Sequence, residues 1–322
     1  MSFWRQPGFW LNFLLLTIGG AVVLILGQDT LRESAFTVLM FVGLAASLNI
    51  LMGYAGYVNF GHIVFFGLGG YFGFFLLSQL GWPLSVSMVA GGCLSVVLAL
   101  IVGAAVLRLR GAYFALATIG INEAARAFVA NFEPFGGPTG LYVNFSVYEK
   151  YGGASHALWF TFIRLWPVTT AVVVVSYLVK HSRFGLGLIA IREDEDAAMV
   201  MGVKAPWDKT LAFALSAFFP GLIGTLYFFK NGNVEPEDAF RFQMSLEILV
   251  MVMLGGKGLV LGPIVGAFAY ERLRGYLLVS PLFKNLHLAL SGGILLLIVL
   301  FVPGGAVGWV RDRFPRLRRV LE

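Results

Sequence analysis

Apolar runs of roughly membrane-spanning length alternate with short polar stretches along the chain. A helix needs about 20 mostly apolar residues to cross the hydrocarbon core of a bilayer. The pattern therefore predicts an all-α integral membrane protein with a single transmembrane domain over residues 1–322. About ten transmembrane or re-entrant helices are expected, at residues 9–27, 35–52, 58–80, 84–107, 112–131, 158–179, 210–229, 243–256, 259–278 and 286–303. The run at 243–256 is short enough to be re-entrant.

Composition agrees with lipid as the solvent. Hydrophobic residues make up 58% of the chain and charged residues only 12%, whereas a soluble domain carries about 25% charged residues. The 40 glycines fit as well, because small residues let transmembrane helices approach closely. A soluble all-α protein is therefore disfavoured. The first apolar run is followed by Gly27-Gln28-Asp29 and not by a small-residue cleavage site, so we expect a retained span instead of a signal peptide.

Lysine and arginine are unevenly distributed among the loops. If the N-terminus lies in the cytoplasm and the spans alternate, most loop cations fall on the cytoplasmic side, as the positive-inside rule requires. Both termini are then cytoplasmic, a charged loop at about 180–209 faces the cytoplasm, and a glycine-rich loop at about 132–157 faces the periplasm. The basic tail from Arg311 to Arg319 is expected to lie beside anionic lipid headgroups, and nucleic acid is not an expected partner.

The charged loop contains a predicted short helix from Glu193 to Gly202. Acidic residues open it, which suits the positive end of the helix dipole, and Gly202 can end it shortly before Pro206. Its expected apolar face consists of Ala197, Ala198, Met201 and Val203. An acidic helix is a poor match for the negative inner leaflet. The pattern therefore favours a docking helix for a cytoplasmic protein over an amphipathic helix on the membrane surface.

A glycine-rich stretch joins the second and third apolar runs. Glycines at 53, 56 and 61 weaken a continuous helix, and a broken helix at membrane depth often forms a transporter's substrate site. A tight surface loop and close helix packing through Gly67, Gly69 and Gly70 are the alternatives. The polar side chains nearby are Asn49, Asn59 and His62. A lone buried histidine is more often structural than a ligand, so a substrate role for His62 stays one of two interpretations.

The run at 112–131 carries Asn122, Glu123 and Arg126, so it cannot face lipid throughout. Glu123 and Arg126 are spaced to pair on one helix face. Such a pair lines a cavity or lies at a subunit interface, and the interface is the interpretation that we favour. If instead the protein works alone as a secondary transporter, Glu123 and Glu247 are candidate ion relays.

Catalytic and metal-binding motifs are missing from the sequence. The single cysteine, Cys93, excludes a disulfide framework and a cysteine-based zinc site. The stretch Leu254-Gly-Gly-Lys-Gly258 fails as a phosphate loop, because Met251 takes the place of the first glycine and Gly258 follows the lysine. We therefore expect neither an enzyme nor a bound cofactor or metal. If ATP drives the protein, the ATPase is another subunit.

Five segments resemble the M-type permease family (LivM family) of branched-chain amino acid ABC importers. They are SLNILMGYAGYVNFGHIVFFGLGGY from Ser47, RLRGAYFALATIGINEAARAF from Arg108, GGPTGL from Gly136, SRFGLGLIAIREDEDAAMVMGV from Ser182 and VMLGGKGLVLGPIVGA from Val252. The most specific is the Arg192-Glu193-Asp194-Glu195 block with Ala198 and Gly202. The chain departs from the family at Tyr57 and Asn59, where glutamine and serine are common.

The resemblance implies a permease subunit of the bacterial inner (plasma) membrane. Its expected partners are a homologous H-type permease or a second copy, two cytoplasmic ATPase subunits that bind ATP and Mg, and a periplasmic substrate-binding protein. The implied coupling residues are Arg192, Glu193, Asp194, Glu195, Ala198 and Gly202. The candidate substrate-pathway residues are Asn49, Tyr57, Asn59, His62, Asn122 and Glu123. Because of the departures, the cargo stays open between branched-chain or similar amino acids and urea, amides or another small solute.

Overall fold

The computed structural model describes residues 7–279, 292–293 and 304–314. Within these ranges the chain is almost entirely helical, as predicted. The predicted span at 286–303 lies outside the described residues except for 292–293. The basic tail beyond Phe314 also lies outside them.

The first half of the chain follows the predicted runs to within a few residues, except that the second helix starts earlier and the third helix starts later than predicted. One π-helical turn, Ile50–Tyr54, extends the second helix. The helices are α1 (Pro7–Leu26), α2 (Asp29–Asn49), α3 (Ile63–Ser78), α4 (Leu84–Val106) and α5 (Ala112–Ala130).

The second half interleaves long and short helices. Two 3₁₀ turns, Glu133–Phe135 and Gly137–Thr139, follow α5. Strand β1 (Leu141–Tyr142) pairs antiparallel with β2 (Asn233–Val234), with Leu141 opposite Val234. The helices are α6 (Phe145–Glu149), α7 (Ala154–Lys180), α8 (Arg183–Glu193), α9 (Glu195–Val200), α10 (Ala205–Asn231), α11 (Pro236–Ala239), α12 (Phe242–Gly255), α13 (Leu261–Val279) and α14 (Gly305–Arg313).

Among the described residues, five helical stretches are long and apolar enough to cross a membrane. They are Gly8–Leu26, Asp29–Tyr54, Leu84–Val106, His156–Lys180 and Ala205–Asn231. The chain is therefore a multi-pass membrane protein. The 14 residues of α12 span about 21 Å, less than the hydrocarbon core of about 30 Å, which agrees with the expectation that this run is too short for a simple span.

Helix α10 packs against α3 and α4 through small residues. A Cβ atom added at Gly69 of α3 would lie 2.2 Å from Ser95 Oγ of α4 and 2.6 Å from Gly221 Cα of α10. Ser95 Oγ donates to the Phe65 carbonyl oxygen at 2.9 Å. The close packing expected around Gly69 is therefore present, because the three backbones approach too closely for larger side chains.

Replacing Gly221 with alanine is expected to destabilise the protein by about 1–3 kcal/mol, the usual cost of overpacking a dense core. The new Cβ would lie 2.4 Å from Ser95 Oγ and 2.7 Å from the Gly91 carbonyl oxygen. Thermal unfolding of the detergent-purified protein measures the effect. Gly19→Ala is the matched control, since nothing lies within 4 Å of its added Cβ. Equal midpoints for the two variants would contradict the packing argument.

Candidate functional site

The chain between α2 and α3 leaves helical geometry, as the glycine pattern predicted. After the π-helical turn, residues 55–62 form no regular helix, and Gly56 adopts a positive φ of 80°. A Cβ at Gly53 would lie 2.1 Å from Asn49 Oδ1 and 2.6 Å from the Gly258 nitrogen. Single π-helical turns inside helices are frequent at functional sites. We call residues 55–62 the broken segment.

Two of the predicted pathway residues hold the broken segment and its neighbours in place. Asn49 donates through Nδ2 to the Leu259 carbonyl oxygen at 3.0 Å and accepts from the Gly258 N–H at 2.9 Å. His62 Nε2 lies 2.9 Å from Ser47 Oγ. Asn49 and His62 are fully buried. The Nδ1 atom of His62 has no hydrogen-bond partner among the described residues, so these contacts do not decide between the two interpretations of His62.

Asn59 and Asn122 each have one amide atom without a hydrogen-bond partner among the described residues. Asn59 accepts from the Gly61 N–H at 2.9 Å, but its Nδ2 is unpaired. Asn122 donates to the Phe240 carbonyl oxygen at 2.9 Å, but its Oδ1 is unpaired. Both side chains are buried. Because most buried polar atoms in proteins are paired, these two amide atoms are candidate contacts for water or a solute.

Helix α5 turns one face into the protein and the other outward. The inward face carries Asn122 among apolar residues. On the outward face, Arg126 Nε donates to Glu123 Oε1 at 3.1 Å, and the predicted ion pair is present. The side chains of Glu123 and Arg126 are 61% and 37% exposed. The described residues of this chain therefore leave the ion pair largely uncovered.

A cavity of about 490 Å³ lies beside the broken segment. Its wall contains Tyr57 from the broken segment, Arg110 from the connection between α4 and α5, and Arg192, Glu193 and Glu195 from the ends of α8 and α9. Of the six candidate pathway residues, Tyr57 alone is part of this wall, where it meets three of the candidate coupling residues. No local sequence pattern predicts this proximity. The other five pathway candidates do not line the cavity.

A buried lysine on α10 connects these elements. Lys209 Nζ donates to Glu195 Oε1 at 2.6 Å, to the Tyr57 hydroxyl at 2.8 Å and to the Leu107 carbonyl oxygen at 3.0 Å. The Tyr57 hydroxyl donates in turn to Glu195 Oε2 at 2.9 Å. The Lys209 and Glu195 side chains are only 4% and 12% exposed. Lys209 was not among the site residues predicted from the sequence, although a lysine at the start of an apolar span indicates that a partner is required.

Arg110 adds a second, more exposed connection. Its guanidinium binds both carboxylate oxygens of Asp196, at 2.9 and 3.1 Å, and its Nε lies 3.4 Å from Glu195 Oε2. The hydrogen bonds from Arg110 lower the pKa of the Asp196 carboxyl. Both side chains are more than half exposed, so solvent screening keeps the contribution of this pair to stability small.

The predicted helix over 193–202 is wrong in its bounds. Arg192 and Glu193 end α8, and Asp194 starts α9 as its N-cap, with Oδ1 accepting from the Asp196 and Ala197 N–H groups at 3.0 Å each. Capping by Asp194 separates the two helices, because its extended backbone cannot continue α8. Arg192 instead donates to the Gly53 carbonyl oxygen at 2.8 Å. Gly202 follows α9 with a φ of 93°, which suits its predicted capping role.

The apolar face of α9 also differs from the expected one. Ala198 is fully buried inside this chain, so it does not belong to a docking face. Ala197 and Met201 of the expected face are exposed. The large exposed apolar side chains are Met199, Val200 and Met201, at 40%, 90% and 74%. We call these three residues the α9 tip.

The chain is similar to one family model and to several known permease proteins. The family model described as the permease component of branched-chain amino acid transport systems matches residues 31–299. The LivM permease protein of the high-affinity branched-chain amino acid transport system of Escherichia coli is 29% identical over 93% of this chain and 75% of its own length. The LivH permease protein of Salmonella typhimurium is 26% identical over 45% of this chain and 46% of its own length. The ribose import permease of Haemophilus influenzae is 25% identical over 33% of this chain and 34% of its own length. No solved structure matches significantly.

Proposed function

Because the chain belongs to the family of permease components of branched-chain amino acid transport systems, we propose that it is the transmembrane permease subunit of an ATP-driven importer. Its cargo would be branched-chain or similar amino acids, moved from the periplasm to the cytoplasm. The observation that carries the proposal is the cavity at which the broken segment meets α8 and α9. In the proposed importer this cavity would form part of the solute path, in direct contact with a helix that would dock a motor.

The proposed motor is a pair of cytoplasmic ATPase subunits, which would bind the ATP and Mg. The α9 tip supports docking, because three apolar side chains exposed together on a helix outside the spans favour a protein partner. Arg192, Glu193, Asp194 and Glu195 would support that helix. Arg192 contacts Gly53 and Glu195 contacts Tyr57. Movement of α9 would therefore reach the broken segment directly.

A second permease, homologous or identical, is the proposed partner for the outward face of α5. The exposed ion pair of Glu123 and Arg126 supports this, because lipid is a poor environment for it. The solute path would run between the two permeases, with Glu123 facing it. The unpaired amide atoms of Asn59 and Asn122 are further candidate contacts for the solute or for water.

On the opposite side of the membrane, a periplasmic substrate-binding protein would deliver the solute. The loop at 132–157 is the proposed docking surface. Strand β1 of this loop pairs with β2, which follows α10, and Tyr148 donates to the Phe229 carbonyl oxygen at 2.8 Å. The loop is thus joined to α10, whose other end carries Lys209. A signal from the binding protein would have a direct path along that helix.

Co-purification followed by reconstitution tests the function. We expect the tagged chain to bring two ATPase subunits and a second permease out of native membranes. In proteoliposomes with the binding protein, labelled leucine should accumulate only with ATP inside. Uptake of urea or acetamide in place of leucine would assign the other cargo class. Transport by the chain alone without ATP would contradict the proposed ATP-driven import. Glu123 and Glu247 would then be the residues to test for ion coupling.

A further inference from the structure

The ion pair of Lys209 and Glu195 joins the long helix α10 to α9, the helix proposed to dock the ATPase. Lys209 lies near the start of the long helix α10, and Glu195 is the first residue of α9. A third bond from Lys209 reaches the Leu107 carbonyl oxygen, where α4 ends. A lysine this deeply buried must be tied to partners, so its position fixes the position of α9 relative to α4 and α10.

Tyr57 extends the same connection to the broken segment. Its hydroxyl accepts from Lys209 and donates to Glu195, so it uses both of its hydrogen-bonding capacities within this cluster. Its ring packs edge-on against Phe114 with centroids 5.0 Å apart, and Lys209 Nζ lies 5.0 Å from the ring centroid. The side chain is therefore held from three directions while it also forms part of the cavity wall. We call Tyr57, Glu195 and Lys209 the linking triad.

On the basis of the proposed function, we infer that the linking triad makes α9 and the broken segment move as one body. Docked ATPases would displace α9, and the triad would carry that displacement to the cavity wall. The three side chains are positioning residues, because they act on the path through the backbone that they hold. Without the Tyr57 hydroxyl, α9 could move while the broken segment stayed behind. ATP would then be hydrolysed without a matching movement of solute.

The linking triad also gives a different interpretation of position 57, where this chain has tyrosine and the family commonly has glutamine. A tyrosine in place of glutamine suggested a different cargo as long as only the sequence was considered. In the structure the hydroxyl is directed to Glu195 and Lys209, and both contacts lie within this chain. The hydroxyl at position 57 is therefore engaged in coupling the motor to the path and not in a contact with the solute.

Tyr54 provides a matched control for the test. It lies three residues before Tyr57, is fully buried, and its hydroxyl lies 2.7 Å from Ser176 Oγ on α7. Tyr54→Phe and Tyr57→Phe thus remove the same atom from neighbouring buried sites. Only Tyr57→Phe removes a contact with α9.

The experiment measures leucine uptake and ATP hydrolysis together in proteoliposomes that contain the complete importer. For Tyr57→Phe we expect ATP hydrolysis to continue while the leucine imported per ATP falls by about fivefold or more, the lower end of typical coupling between sites. Glu195→Asp, which shortens the same connection, should show the same fall. Tyr54→Phe should keep the wild-type ratio. Adding Glu195→Asp to Tyr57→Phe should cause little further loss, because residues in one network are not additive.

Two results would overturn the inference. One is a wild-type ratio of leucine to ATP in both Tyr57→Phe and Glu195→Asp. The other is an equal fall in Tyr54→Phe and Tyr57→Phe, which would assign the loss to the removal of any buried hydroxyl. Absence of ATP-dependent uptake in the wild-type importer would instead contradict the proposed function.

Discussion

Val200→Asp is expected to abolish ATP-driven uptake while the protein still reaches the membrane in normal amounts. Val200 is 90% exposed at the end of α9, so the substitution disturbs no packing inside this chain. In the proposed complex the same side chain lies in an apolar contact with an ATPase. A carboxylate left there without a partner costs about 3 kcal/mol, which weakens association by roughly 100-fold.

Co-purified ATPase, quantified against the tagged permease, measures the loss. Val200→Thr is the isosteric control and should retain most of the association. Val200→Lys tests the nature of the contact, since an apolar contact rejects either charge. Normal association of Val200→Lys would show that the aspartate acts through repulsion by acidic groups, and normal association of Val200→Asp would remove the α9 tip from the docking surface.

Some features of the fold were predictable because they depend on local sequence. The long apolar runs predicted the positions of α1, α2, α4, α7 and α10. Glycines 53, 56 and 61 predicted the broken helix, because glycine weakens helices wherever it occurs. The pairing of Glu123 with Arg126 was also predictable, since the two residues are one helical turn apart.

Other features depend on contacts between distant parts of the chain. Tyr57 is 138 residues from Glu195 and 152 residues from Lys209, so no local pattern places the three together. No helix was predicted at α8, where Gly185 lowers helix propensity. The structure requires that glycine, since an added Cβ would lie 1.9 Å from the Val179 carbonyl oxygen. Tertiary packing here overrides propensity.

The four acidic residues after Arg192 show why the exact start of a helix could not be predicted from the sequence. Glu193, Asp194, Glu195 and Asp196 all suit the first turn of a helix, and composition alone does not say which of them caps it. The extended backbone of Asp194 decides the question. As a result, Glu193 and Glu195 belong to different helices, and only Glu195 takes part in the linking triad.

Neutralising Glu123 or Arg126 singly is expected to lower leucine uptake by more than about tenfold, because each change leaves the other charge without its partner at a covered interface. Uptake by Glu123→Gln and Arg126→Gln, together with co-purification of the second permease, measures the effect. Asp29→Asn is the control, since it breaks another i,i+3 ion pair, with Arg32, that lies outside all the proposed contacts and should tolerate the change.

Exchanging the two charges separates the two roles that the pair can have. In the double variant Glu123→Arg and Arg126→Glu, the ion pair can form again with reversed polarity. If the pair only stabilises the subunit interface, the exchange should restore both assembly and uptake. If the carboxylate and the guanidinium also contact the charged ends of an amino acid, assembly should return while uptake stays low, because the solute would meet each charge in the wrong place. Full uptake by both single variants would exclude the pair from the interface and from the path.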